Sequence, residues 1–146
     1  MSNDIIVDVL LVEDDANDAE LTRRVFRKKN LGDRLTHVTD GEKALAFLDR
    51  RAMKRPGEPV PPLVVLLDLQ LPRIDGFSVL RTMKESDRMR KIPVVVLTSS
   101  RSVPDVETAY ALGANSYVVK PVAYEAFEEC VSRLGEYWLA LNEPAR

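Results

Sequence analysis

The chain has 146 residues, a length typical of one domain with an ordinary hydrophobic core. Its 21 basic and 23 acidic side chains give a net charge of -2, which argues against a general attraction to nucleic acid. The single cysteine, Cys130, the lack of an apolar run of about 20 residues, and an N-terminus without signal-peptide features predict a cytoplasmic protein with no membrane contact.

Apolar runs of strand length alternate with segments of helical periodicity, which predicts repeated strand–helix units and a parallel sheet. The predicted strands are residues 5–12, 34–38, 63–67, 93–97 and 116–119. The first, third and fourth are almost wholly aliphatic, as expected for strands that helices cover on both faces. We therefore expect an α/β fold in which a central sheet is sandwiched between helices.

Between the strands, apolar side chains recur three and four residues apart, so each segment predicts a helix with one buried face. The predicted faces contain, in chain order, Leu21, Val25 and Phe26; Ala44, Leu45 and Leu48; Gly76, Val79, Leu80 and Met83; Val106, Ala109 and Tyr110; and Phe127, Cys130, Val131, Leu134 and Trp138. Helix four should end near Gly113, which can adopt a left-handed conformation. The basic, proline-rich residues 50–62 predict an exposed loop.

Polar side chains follow four of the predicted strands, at the point where each strand ends. Three acidic residues from Glu13 to Asp15 follow strand one, Asp68 follows strand three, Thr98 ends strand four, and Lys120 follows strand five. Each has an ordinary alternative: Asp14 or Asp15 would serve equally well as a helix cap, and Lys120 as a solvated surface amine. In open α/β sheets, however, this edge is where ligands bind.

The residue types at this edge are chemically complementary. Carboxylates packed closely repel one another unless a cation intervenes, and oxygen-only ligands favour Mg²⁺. A metal beside an ionised carboxylate prepares phosphoryl transfer to that carboxylate, which would form an aspartyl phosphate. Lys120 and Thr98 would then contact the phosphoryl oxygens.

The sequence resembles the receiver domains of two-component response regulators. The matching segments are Leu11-Val-Glu-Asp-Asp15, Leu66-Leu-Asp-Leu-Gln-Leu-Pro72 with Asp75-Gly76, Val94-Val-Val-Leu-Thr98, Gly113-Ala114 and Tyr117-Val-Val-Lys-Pro121. The resemblance implies a flavodoxin-like, doubly wound (βα)5 fold with strand order 2-1-3-4-5. It also implies a single receiver domain over residues 1–146, with a core of about residues 5–140.

The resemblance further implies a role for individual residues. Asp68 would be the phosphoacceptor, and Asp14, Asp15 and the Gln70 carbonyl would hold Mg²⁺ with it. Thr98 would be the switch hydroxyl, Tyr117 the aromatic side chain that moves with it, and Lys120 the cation that pairs with phosphate. These roles correspond to the following positions: Asp14, Asp15, Asp68, Gln70, Thr98, Tyr117 and Lys120. A cis peptide bond is expected between Lys120 and Pro121.

The acidic start, the long loop before strand three and the closing Glu136-Tyr-Trp-Leu139 are similar to small stand-alone regulators of bacterial phytochrome histidine kinases. Such a protein would be a switch with no separate catalytic domain, signalling to a downstream partner through helix four, strand five and helix five. Tyr124, Tyr137 and Trp138 would either anchor a homodimer there or, for Trp138, pack onto the domain.

Two rival functions remain open from sequence. A haloacid-dehalogenase-like phosphatase also uses an aspartate nucleophile and Mg²⁺, but it needs an acid where Gln70 stands. A pseudo-receiver would serve only as a binding scaffold without phosphorylation, although Asp68, Thr98 and Lys120 are all present. His37 stands alone in a strand and has no predicted metal or phosphotransfer role.

Overall fold

The computed structural model describes residues 6–145, which form a five-stranded sheet and five α-helices. The strands are Asp8–Val12 (β1), Leu35–Val38 (β2), Leu63–Leu67 (β3), Val94–Thr98 (β4) and Ser116–Val119 (β5). The helices are Ala16–Lys28 (α1), Gly41–Ala52 (α2), Gly76–Glu85 (α3), Val103–Ala111 (α4) and Tyr124–Glu136 (α5). A 3-10 turn, Gly32–Arg34, precedes β2, and a π-helical segment, Tyr137–Leu141, follows α5.

The strand order is β2-β1-β3-β4-β5, and every neighbouring pair is parallel, which confirms the predicted flavodoxin-like fold. All residues of β3 and β4 are buried, because helices cover both faces of the sheet. Since all five strands point the same way, their carboxyl ends meet at one edge.

The sheet separates two hydrophobic cores, because successive side chains of a strand point to opposite faces. One core joins alternate strand residues to α2, α3 and α4, and its largest fully buried members include Leu48, Leu80 and Met83. The other joins the remaining strand residues to α1 and α5, around Phe26 and Val131. Burial of these two faces fixes the strand ends relative to one another.

Three strands begin later than predicted, and one of them, β2, begins a single residue late at Leu35. Strand one was expected from Ile5, which lies outside the described residues, and β1 begins at Asp8, opposite Leu63 of β3. The residues before Leu63 are prolines, which lack the N–H group that a sheet ladder needs. The same property explains why β4 begins at Val94, directly after Pro93.

Two helical predictions need correction. The loop expected over residues 50–62 begins later, because α2 continues to Ala52; Arg50 and Arg51 suit the negative end of the helix dipole. In α4, Tyr110 is 50% exposed, not part of the buried face. Ala109 is the buried residue of this helix, and the next residue lies about 100° further round, outside so narrow a stripe.

A turn between α4 and β5 is locked by contacts with α3. Gly113 has φ +107, which confirms the predicted left-handed conformation, and it lies against the stem of Lys84. The Lys84 ammonium donates to the carbonyl oxygens of Arg90 (3.1 Å) and Ile92 (3.0 Å) and to Oδ1 of Asn115 (3.3 Å). Burial lowers the pKa of Lys84. One side chain thus joins α3 to the segments that precede β4 and β5.

The aromatic residues at the two ends of α5 differ in burial. Trp138 is half-buried against the core between the sheet, α1 and α5, with Tyr137 edge-to-face at 5.1 Å. Tyr124 and Tyr137 are 53% and 49% exposed. Trp138 therefore packs onto the domain, while the two tyrosines face outward.

The peptide bond between Lys120 and Pro121 is trans, so the expectation of a cis bond there was wrong. The trans form of an X–Pro bond is intrinsically favoured by about 0.5–1 kcal/mol, and Lys120 reaches its partners without the cis form. Across residues 6–145, the helices are too short or too polar to cross a membrane.

Candidate functional site

The carboxyl edge of the sheet brings side chains from three strands together around one ammonium group. Lys120, which follows β5, places Nζ 2.9 Å from Oδ2 of Asp68, which follows β3. The same Nζ lies 2.5 Å from Oε1 of Glu13, which follows β1, and 2.9 Å from Oδ2 of Asp18 in α1. The predicted meeting of strand ends therefore exists, with Lys120 at its centre.

The central ion pairs are almost inaccessible to solvent. Glu13, Asp68 and Lys120 are 2%, 6% and 7% exposed. Burial raises the pKa of Glu13 to about 7, because its hydrogen bond to Lys120 only partly offsets the cost of burying the charged form. Burial opposes the charge of Lys120 as well, but hydrogen bonds to Glu13 and Asp68 outweigh it and raise its pKa. The site thus holds a permanent cation and an excess of carboxylates.

Three carboxylates are arranged as ligands for a metal ion. Oxygen atoms of Glu13, Asp14 and Asp68 all lie within 4.8 Å of one another, and Asp14 is exposed to solvent. Hard divalent cations prefer such oxygen ligands, and a cation would relieve the cost that raises the pKa of Glu13. These residues therefore fit a divalent metal ion.

The acidic residues that come together differ from the sequence prediction, which placed Asp14 and Asp15 at the metal site. Asp15 is the N-cap of α1, where its Oδ1 accepts from the backbone N–H of Asp18 at 2.9 Å, and it is not part of the three-carboxylate group. Glu13 joins Asp14 instead, since its backbone N–H continues the ladder to Val38 and its side chain turns inward. Aspartate is a preferred N-cap residue, so a prediction that α1 begins at Ala16 would have separated these roles.

Glu13 also has a contact with a neighbouring strand. His37 Nε2 lies 2.8 Å from the Glu13 carbonyl oxygen, which can only accept a hydrogen bond. His37 thus supports the backbone of the site and stands apart from the carboxylates that surround Lys120.

Thr98 presents a buried hydroxyl group at the same edge. It is fully buried as the last residue of β4, and its carbonyl oxygen accepts from the backbone N–H of Lys120 at 2.7 Å. Its Oγ1 has no hydrogen-bond partner among the described residues. Because an unsatisfied buried hydroxyl costs about 1–3 kcal/mol, a ligand oxygen at this edge would be stabilising.

Tyr117 connects β5 to the segment that follows Thr98. Its hydroxyl donates to the carbonyl oxygen of Ser100 at 2.9 Å, and the Ser100 side chain donates to Asp105 of α4 at 2.5 Å. Burial raises the pKa of Tyr117, so the phenol keeps the proton that it donates. A displacement of the chain after β4 would therefore move or break the contacts of Ser100 with both Tyr117 and α4.

The backbone around Asp68 is held by the segment that follows it. The N–H of Gln70 donates to Oδ1 of Asp68 at 3.1 Å, and the Gln70 side chain is exposed. Gly76, the first residue of α3, packs so closely that a Cβ there would overlap the Asp68 carbonyl oxygen. The Gln70 carbonyl as a metal ligand stays a prediction.

Comparison with known proteins agrees with this arrangement. The family model described as the response regulator receiver domain matches residues 9–132. The probable methanogenesis regulatory protein FilR2 of Methanothrix harundinacea is 42% identical over 92% of this chain and 84% of its own. Response regulator Rcp1 of Synechocystis is 36% identical over 90% of this chain and 88% of its own.

Solved structures give the same result. The Mn²⁺-bound form of Rcp1 has a TM-score of 0.84 and 33% identity, covering 97% of this chain and 99% of that one. The bacteriophytochrome response regulator AtBRR is 44% identical, with a TM-score of 0.66 and coverage of 96% and 99%. With the family model, the sheet order and the strand-end residues in agreement, the chain belongs to the response regulator receiver domains of two-component signalling and resembles phytochrome-associated members.

Proposed function

We propose that Asp68 accepts a phosphoryl group from the phosphohistidine of a sensor kinase and that the protein signals through the resulting change of shape. The observation that supports this most directly is the buried Lys120 ammonium 2.9 Å from the Asp68 carboxylate. A permanent cation beside a nucleophilic carboxylate stabilises the charge that develops on transferring phosphoryl oxygens. The Thr98 hydroxyl, which has no hydrogen-bond partner within residues 6–145, supplies a donor at the same edge.

The transfer is a simple displacement at phosphorus. An Asp68 carboxylate oxygen forms a bond to phosphorus while the P–N bond to the kinase imidazole breaks. The imidazole nitrogen keeps the electron pair of that bond and takes up a proton. Lys120 enters the reaction protonated, because hydrogen bonds to Glu13 and Asp68 outweigh the effect of burial and raise its pKa.

We assign Mg²⁺ as the metal, held by Glu13, Asp14 and Asp68 with the Gln70 carbonyl. Mg²⁺ supplies charge neutralisation for the phosphoryl oxygens when bound. The three carboxylates support this assignment, because their oxygen atoms lie within 4.8 Å of one another. The Mn²⁺-bound structure of the relative Rcp1 supports it as well. Asp15 is assigned to the helix cap, because it already accepts the N–H of Asp18.

The switch runs from Thr98 through Tyr117 to the outer face. The aspartyl phosphate carries a charge of about -1.5 to -2 where the Asp68 carboxylate carried a single negative charge, and its three acceptor oxygens attract the Thr98 hydroxyl. Moving the end of β4 shifts Ser100, whose carbonyl oxygen anchors the Tyr117 hydroxyl at 2.9 Å. The surface of α4, β5 and α5 then changes population between two shapes.

The kinase partner is a bacteriophytochrome-type histidine kinase, a proposal supported by the resemblance to Rcp1 and AtBRR. The downstream partner or a second copy of the chain docks on the α4–β5–α5 face, where α4 carries exposed apolar side chains. These side chains are Val103 and Tyr110, whereas the exposed Tyr124 accepts a hydrogen bond from Arg24 of α1 at 3.2 Å. A pull-down with beryllofluoride-treated and untreated protein would identify partners that depend on the switch.

Phosphorylation is tested by incubating the protein with acetyl phosphate and Mg²⁺ and weighing it intact. We expect one added phosphoryl group, lost in Asp68→Asn and in the presence of EDTA. Asp87→Asn is the matched control, because Asp87 carries a 92% exposed carboxylate. An unchanged wild-type mass would favour the scaffold alternative, and sustained turnover of small phosphoesters would favour the phosphatase alternative.

A further inference from the structure

Asp18 contacts the ammonium group at the centre of the site, although it belongs to none of the strand ends. Its Oδ2 lies 2.9 Å from Nζ of Lys120, across 102 residues of sequence. The Asp18 side chain is 32% exposed, whereas that of Lys120 is 6% exposed. The carboxylate therefore reaches from the surface of α1 to a buried cation.

The backbone of Asp18 is held firmly on α1. Its N–H donates to the Asp15 side chain at 2.9 Å, and its carbonyl oxygen accepts from Thr22 Oγ1 at 2.8 Å. Thr22 is 1% exposed, so this second bond is sheltered from water. Asp18 thus presents its carboxylate from a rigid helix, which is a better support for a functional group than a loop.

Lys120 has three N–H donors, and three carboxylates contact its ammonium group. Under the proposed function, Glu13 holds the metal ion and Asp68 receives the phosphoryl group, so their bonds to Lys120 change during the reaction. Asp18 lies outside the metal-ligand group. It is therefore the one partner that can keep its bond to Lys120 before and after transfer.

We propose that Asp18 is a positioning residue, which holds the Lys120 ammonium beside Asp68 during phosphoryl transfer. The proposal rests on the proposed function and extends it to a residue in α1. A lysine ammonium stands on a flexible four-carbon stem and loses side-chain entropy when it is fixed. A charged partner that fixes it in advance lowers that cost in the reacting state.

The test is the initial rate of labelling by acetyl phosphate at saturating Mg²⁺, followed by intact mass. We expect Asp18→Ala to be slower by about fivefold, which is a modest effect because the pair is partly exposed. Asp18→Asn keeps a hydrogen-bond acceptor and should fall between Asp18→Ala and wild type. Glu20→Ala is the matched control on the same helix, because Glu20 pairs with Arg27 at the surface.

A merely structural role is separated by the Lys120→Met background. If Asp18 acts through Lys120, adding Asp18→Ala to Lys120→Met changes the residual rate little. An equal fivefold loss in that background, or a wild-type rate in Asp18→Ala alone, would overturn the proposal. The single Asp18 variants decide the question if Lys120→Met does not fold.

The contact is also measured without any phosphorylation, by urea unfolding of the two single variants and the double variant. A favourable coupling between Asp18 and Lys120 supports the proposal, and additive effects would refute the contact. A wild-type protein that cannot be labelled would instead overturn the proposed function and the rate effect with it. The two failures are therefore distinguishable.

Discussion

Gly76 should be intolerant of even one added methyl group, because α3 begins against the backbone that carries Asp68. A Cβ on Gly76 would lie 2.6 Å from the Leu69 Cα, whereas carbon atoms in contact are normally about 3.5–4.0 Å apart. The overlap is with backbone, so no side-chain rotation relieves it. Overpacking of this kind costs about 1–3 kcal/mol, against a gain of about 0.5–1 kcal/mol for replacing glycine in a helix. The two values leave a net loss of about 0–2.5 kcal/mol, so we expect Gly76→Ala to lose about 1 kcal/mol of unfolding free energy.

Gly135 provides the matched control, since it is also buried in a helix. A Cβ there would be 3.8 Å from Phe26 Cζ, an ordinary contact, so Gly135→Ala should gain about 0.5–1 kcal/mol. Urea denaturation measures both variants, and acetyl phosphate labelling should slow in Gly76→Ala because Asp68 is displaced. A Gly76→Ala protein as stable as Gly135→Ala would refute the steric argument.

Three other predictions concern the site and its support. Because burial raises the pKa of Glu13 to about 7, a proton competes with Mg²⁺ for this carboxylate. The Mg²⁺ affinity measured by calorimetry should therefore increase as the pH rises to about 7, and Glu13→Gln should weaken this pH dependence. Asp15→Ala should lose about 1 kcal/mol by thermal unfolding yet still be labelled, whereas Asp14→Ala should not; equal loss of labelling would restore Asp15 as a ligand. Lys84→Met should cost about 1–2 kcal/mol in urea, and an unchanged midpoint would dismiss its three hydrogen bonds.

The sign for Glu13 also predicts a trend in stability without metal. Its pKa is raised from the ordinary value of 4.5, so the folded protein retains a proton that the unfolded chain releases. The stabilisation that protonated Glu13 gives to the folded state is therefore fully present below about pH 4.5, and it is lost as the pH rises through about 7. In EDTA, the free energy of unfolding of wild type should therefore fall relative to that of Glu13→Gln as the pH rises. Adding Mg²⁺ should reverse this fall.

The fold was predictable because its strands carry a strong local signal. The limits of β3 and β5 agree with prediction, since aliphatic runs end at residues that cannot continue them. The beginnings of β1 and β4 were less predictable, because they depend on which residues of the strand and of its partner have N–H groups to pair. Exposure of Tyr110 was missed for a similar reason: periodicity gives the direction of a buried face but not its width.

The site was predictable where a strand delivers the residue. Asp68, Thr98 and Lys120 follow directly from the shared edge of a parallel sheet. It was harder to predict that Glu13, and not Asp15, lies in the group of three carboxylates. That outcome depends on the residue at which α1 begins. Asp18 could not be assigned to Lys120 at all, since no local pattern links positions 102 residues apart.

That long separation has a consequence for the order of folding. Lys120 comes after the last strand of the sheet, and its partners Asp18 and Asp68 lie 102 and 52 residues earlier. We expect contacts between such distant positions to form late, because long loops must close first. An immature chain in which β5 has not yet docked therefore has the carboxylates without their ammonium. Under the proposed function, we therefore expect the protein to become able to accept a phosphoryl group only after β5 has joined the sheet.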